Sequence, residues 1–311
     1  MTITVRSRYV YEQDPSDHRI RHHQFALARG GELSVVATPS VHALLRDLVA
    51  NCTRSHFLDD PEGLELSNQA ALMREVVVTV QACLAPDLDA TRAAERRDAA
   101  SDPHWSDSPG LRLIAAIAQY EEILSTLLDA ATLVESGRMS TAWTLLGSTA
   151  DRLRVLAALA SAAGDDVARQ LAATSAHARA RFTAAAATDG VDLGLPAPFE
   201  SATNVVTAPA PLAPGEPPRA IARVIELATL GAATSRDGGP LDTTSLHGSP
   251  HHTDYAHLAT VGGYQFHLVL DIVRAATDSL CSVAGALTAE QVWADWADDV
   301  REAIEFAWDC I

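Results

Sequence analysis

The chain has 311 residues, 48% hydrophobic and 20% charged, with a net charge of −17. That composition excludes a disordered chain and fits a globular one that buries about 75% of the surface its unfolded form exposes. Every one of its 23 basic residues is arginine. The lack of lysine excludes a Schiff-base lysine and a Walker-type phosphate loop, and the acidic balance argues against a nucleic-acid partner, which needs a basic surface.

Residues 2–11 alternate and are rich in β-branched and aromatic side chains, which predicts a short strand. Ser16 can cap a helix over 17–28 that stops at Gly30-Gly31; the same glycines could instead turn a hairpin into 32–36. Arg6, Arg8, Arg19, Arg21 and Arg29 outnumber Glu12, Asp14 and Asp17 here. His18, His22 and His23 lie beside them, and a helix would set His18 and His22 one turn apart.

Thr38-Pro39 is an N-cap followed by proline at the first helical position, and Val41, Leu44, Leu45, Leu48, Val49 and Cys52 mark one helical face. The segment TPSVHALLRDLVANC (38–52) resembles the opening helix of the metal-dependent four-helix family that includes mycothiol-dependent maleylpyruvate isomerases. That family places a ligand histidine near the end of this helix, where this chain has Asn51 and Cys52, so its function is not carried across. Asp59, Asp60, Glu62 and Glu65 resemble the Asp-rich, magnesium-holding motif of terpene synthases, without the further Asp/Asn, Ser and Glu constellation those enzymes need.

A helix is expected from Ser67, with Leu72, Met73, Val76, Val80, Cys83 and Leu84 on one stripe and Pro86 as its stop. Residues 86–109 are charged and broken by Pro103 and Pro109, with room for a short helix at 89–100. An up-down-up unit of three helices fills 109–187. Its first seam is Leu113, Ile117, Tyr120, Leu124, Leu127, Ala131 and Val134; its second is Ala142, Leu146, Thr149, Leu153, Leu156, Ala160 and Ala163. The third helix repeats the spacing with Ala168, Leu171, Ser175, Ala178 and Phe182, and its alanines suit close packing against a neighbour.

Residues 189–218 hold seven of the fifteen prolines and read as a linker or an extended strap. They separate an N-terminal helical region, 1–188, from a C-terminal one, 219–311. Pro218 opens a short helix with Ile221, Val224, Ile225 and Ala228. Over 254–286, Leu258, Val261, Leu268, Ile272, Ala276, Leu280 and Val283 form an apolar arc opposite Thr260, Tyr264, His267, Asp271, Arg274 and Asp278. Leu287-Thr288-x-x-Gln291-Val292 has the form of a capping box with a staple. The helix it would open sets Trp293, Trp296, Val300, Ile304 and Ala307 near one face, with acids on the other.

The fold expected is therefore mainly α, an antiparallel multi-helix bundle with a small β element at the N-terminus. The function expected is that of a non-catalytic helical interaction or structural protein, self-associating or bound to a protein partner. Its interface would use Trp293, Trp296, Val300 and Ile304. The alternative is a metal-dependent hydrolase or isomerase. His247, His251, His252, His257 and His267, with Asp254 and Asp271, carry the ligand types of one divalent transition metal, whose bound water would be the nucleophile. A third reading is an acidic inhibitor that imitates nucleic acid. Cys52, Cys83, Cys281 and Cys310 show no C-x-x-C spacing and read as reduced thiols, with Cys52 and Cys83 on apolar stripes. No signal peptide opens the sequence and no apolar run reaches the roughly 18 residues of a membrane span, so a cytoplasmic location is expected.

Overall fold

The computed structural model describes residues 9–13, 20–24, 64–102, 104–135, 138–191, 217–238, 255–288, 293–298, 300, 301 and 304. The helical body consists of α1 (Leu64–Ser101), α2 (Pro109–Glu135), α3 (Met139–Leu159), α4 (Gly164–Thr188), α5 (Arg219–Gly238) and α6 (Tyr255–Thr288), followed by helical residues 293–298. Near the N-terminus the backbone of Tyr9–Gln13 pairs antiparallel with Ile20–Gln24, Tyr9 opposite Gln24. The segment expected as a helix over 17–28 is thus extended over Ile20–Gln24; His18 lies outside the described residues. The helix expected over 38–52 and the acids at Asp59, Asp60 and Glu62 lie outside the described residues.

The stop expected at Pro86 does not occur: α1 runs through it to Ser101 and absorbs the short helix expected at 89–100. A proline inside a helix forfeits one backbone hydrogen bond, at a cost of about 3 kcal/mol. The buried stripe continues across it, with Val80 and Leu84 before and Leu88 after, and that burial holds the helix together. A 3-10 turn, Trp105–Asp107, joins α1 to α2. Trp105 is buried there and its indole N–H donates to Glu95 of α1 at 2.9 Å.

The seams of α2 and α3 form the centre. Leu113, Ile117, Tyr120, Leu124, Leu127, Ala131 and Val134 are all buried, as are Ala142, Leu146, Thr149, Leu153 and Leu156; the last two positions expected on the second seam fall beyond the end of α3 at Leu159, with Ala160 half-buried and Ala163 exposed. α2 packs on α1, α3, α4 and α6, and α3 packs on α2, α4, α5 and α6. α3 and α5 approach each other closely. A Cβ at Gly147 would meet Ala232, and one at Gly231 would meet the Trp143 ring. Only glycine lets the two helices come this near.

α6 lies inside the body, against α1, α2, α3 and α5. Between Gln265 and Ala284 it is buried on nearly its whole circumference. Phe266, Val269, Leu270, Val273, Ala275, Cys281 and Ala284 join the expected arc in the core. A helix apolar nearly all round belongs inside a protein. One continuous core thus draws on residues from both sides of the 189–218 segment. Thr288 is the last residue of α6, and its hydroxyl donates to the Ala284 carbonyl; residues 289–292, over which the expected capping box would act, lie outside the described residues.

α4 behaves differently. Only Gly164 and Ala168 are buried, and from Ala178 to Val191 every residue but Ala186 is exposed. The helix nevertheless has a formal end. The Val191 N–H reaches the Ala186 carbonyl at 2.9 Å and the Gly190 N–H reaches Ala187 at 3.0 Å, with Gly190 at φ 76°. This is the paired-bond C-cap that needs a left-handed residue.

Candidate functional site

Two features stand out from the apolar bundle: the polar stripe of α6 and the open half of α4. The stripe is His267, Asp271, Arg274, Asp278 and Ser282, spaced three or four apart, the one line along the buried length of α6 that reaches the surface. From Asp271 through Arg274 to Asp278 its charges alternate in sign. Arg274 pairs with Asp271 at 3.3 Å. Arg301, from the C-terminal helical segment, reaches Asp278 at 3.2 Å and Asp298 at 2.7 Å, tying that segment to α6. Partial burial holds the His267 imidazole below its ordinary value of 6.5, against the opposing pull of Asp271. Burial likewise raises the Asp278 carboxyl, with Arg301 and Arg274 resisting. Cys281, fully inside, is pushed up to about 12 by burial, with the Asp278 charge adding to the effect, so its thiol is no nucleophile at neutral pH.

Of the histidine cluster, His247, His251, His252 and Asp254 lie outside the described residues. His257 stands near the start of α6 and His267 ten residues on, in one unbroken helix. At 1.5 Å per residue they are about 15 Å apart along the axis, too far to share an ion with ligand distances near 2 Å. Among the described residues no group of three or more His, Cys, Asp or Glu side chains gathers as a metal site would require. His267 and Asp271 remain neighbours on one face, as their spacing predicts.

The aromatic face of the C-terminal segment is the chain's own core. Trp293 is 2% exposed, Trp296 4%, and Val300 and Ile304 are fully buried. The interface expected at these four residues is therefore intramolecular packing, because the apolar side of the segment turns inward while Asp298 is exposed. Neither indole N–H meets an acceptor among the described residues.

The sequence reading missed the open half of α4. Phe182, expected on a packed seam, is 63% exposed, and Val191 just beyond the helix end is 50% exposed. Leu230 on α5 is the third large apolar side chain left in solvent among the described residues. Single exposed leucines are ordinary; a phenylalanine left in solvent on a face that is buried elsewhere in the same helix is more notable. At 100° per residue, Phe182 lies on the same face as the buried Gly164 and Ala168. The face that anchors the start of α4 thus continues uncovered through Ser175, Ala178 and Phe182. Arg179 and Arg181 flank it, also exposed, whereas Arg169 nearer the body pairs with Asp166.

Comparison with protein-family models, curated proteins and solved structures gives no match. No helix among the described residues is long and apolar enough to cross a membrane.

Proposed function

We propose that the protein is a non-catalytic helical interaction protein and that the open half of α4 is its docking surface. The observation that carries this reading is Phe182, 63% exposed on a face that is buried at the other end of the same helix. A capped helix of this length, held to the body only at its start, presents an apolar line between cationic rims. The two other seams of the three-helix unit are buried inside the chain along most of their length, which leaves this one for a partner.

The test is a photo-crosslinking residue at position 182, with a second at the exposed Asp151 of α3 as control. The protein is returned to an extract of the cells that make it. Discrete adducts at 182, competed away by excess unlabelled wild-type chain and absent at 151, are expected. Equal, uncompeted labelling at both positions overturns the reading.

A second reading, a metal-dependent hydrolase or isomerase, draws support from His267 and Asp271, half-buried and one turn apart on the stripe of α6. Asp271 is already engaged by Arg274, which weighs against a ligand role. Elemental mass spectrometry of untagged protein decides it. Near one Zn, Fe, Mn or Ni per chain, lost when His251, His252 and His257 become alanine, would establish a metal centre and displace the interaction reading.

A further inference from the structure

We infer that the occupant of the open α4 face is the same face of a second copy of this chain, packed antiparallel across a twofold axis. The inference rests on the docking surface proposed above and names its partner. Two observations select a second copy, and the extent of the contact sets how tightly it would bind.

The first is continuity. Ala168, Leu171, Ser175, Ala178 and Phe182 have the spacing of the two seams that pack inside the chain, yet only the first of them is buried. A helix face with coiled-coil spacing is complementary to a helix face of the same spacing.

The second is charge. In an antiparallel pair centred on Ala184, Phe182 faces the partner's Ala186, and Arg179 faces the partner's Asp189. Phe182 then fills the space left by small residues, and each of two symmetry-related cations meets an acid. Asp189 and Arg179 are both exposed, and neither has an ion-pair partner among the described residues. Pairing in parallel would instead set Arg179 beside its own copy.

The overlap from Ala178 to Gly190 is about 20 Å long and roughly 10 Å wide. That is well below the roughly 800 Å² per partner of a standard stable interface. The dimer is accordingly a weak, concentration-dependent one.

Sedimentation equilibrium of the full chain from about 5 µM to about 1 mM tests this, because that range brackets affinities expected of a small interface. Wild type is expected to rise from 33.0 kDa towards twice that mass. Phe182→Glu, at an exposed site that does not touch the core, is expected to stay monomeric with unchanged helical circular dichroism. Arg179→Asp and Asp189→Arg should each weaken association about tenfold, and the double charge swap should restore it. Wild type that stays monomeric throughout, or a Phe182→Glu variant that associates like wild type, overturns the inference. A monomeric wild type that still gives a competed crosslink to a different protein at position 182 removes the second copy and leaves the interaction reading standing.

Discussion

The hydroxyls of Tyr120 and Thr277 lie 3.1 Å apart at the centre of the molecule, both buried, joining α2 to α6 across 157 positions of sequence. It is a polar contact in an otherwise apolar layer, so it fixes how α6 is rotated against α2. Tyr120→Phe and Thr277→Val should each cost about 0.5–1.5 kcal/mol. The double variant should cost less than their sum, because it removes both polar groups together. Urea melts of the four proteins measure the coupling; strict additivity would show that the hydroxyls do not interact.

The α3–α5 crossing predicts a paired effect. Gly147→Ala should destabilise by about 1–3 kcal/mol, since the added methyl lands on Ala232. Adding Ala232→Gly should recover most of it. Thermal unfolding of single and double variants reads this out, and no recovery would place the strain elsewhere.

The end of α4 makes a local prediction. Gly190 has φ 76° and open space where a Cβ would stand. Gly190→Ala should therefore cost about 1–2 kcal/mol through backbone strain alone, felt by the last turns of α4. Hydrogen exchange should rise for residues 183–191 while the rates of α2 and α3 remain unchanged.

Two groups on the stripe give opposite pH dependences. His267 is depressed in the folded state, so its contribution is complete above 6.5 and is lost as pH falls through the lower folded value. Asp278 is raised, so the folded chain holds its proton more tightly than the unfolded one. Stability from that group is greatest below 3.8 and declines as pH rises through the elevated folded value. His267→Gln should flatten the stability profile just below neutrality. Asp278→Asn should flatten it in the acid range above 3.8. Denaturant midpoints at pH 4 to 8 check both; identical profiles in variant and wild type would remove these groups from the linkage.

Cys281 should resist alkylation at pH 8 in the native protein and react only when the fold opens, because its thiol is buried and raised to about 12. Peptide mapping after iodoacetamide treatment at increasing urea follows it directly. Labelling without denaturant would contradict the burial.

The seams of α2 and α3 were legible because large apolar residues recur at fixed spacing, and burial is the only setting in which such a line is stable. α4 shares the spacing, but spacing does not distinguish a face covered along its length from one covered at a single end. Alanine contributes too little apolar area to decide. The reading of Pro86 failed for the opposite reason: a local rule was outweighed by Leu84 and Leu88, which are buried on either side of it. The Trp293 and Trp296 face was placed correctly on one side of a helix, but periodicity does not say whether that side meets the chain's own core or another molecule. Only His267 and Asp271 of the expected metal group come together among the described residues, since they alone are set by helical periodicity at short range.

The position of α6 bears on how the chain is made. It is the element that fills the space among α1, α2, α3 and α5, yet it is synthesised after all of them. Until residue 288 has cleared the ribosome, the earlier helices can only surround an unfilled apolar trough. Such a nascent chain is aggregation-prone, and closing it depends on contacts across long stretches of sequence, which are slow to form. Chains stalled or cleaved before Tyr255 should therefore be clients of chaperones and proteases rather than smaller stable versions of the protein.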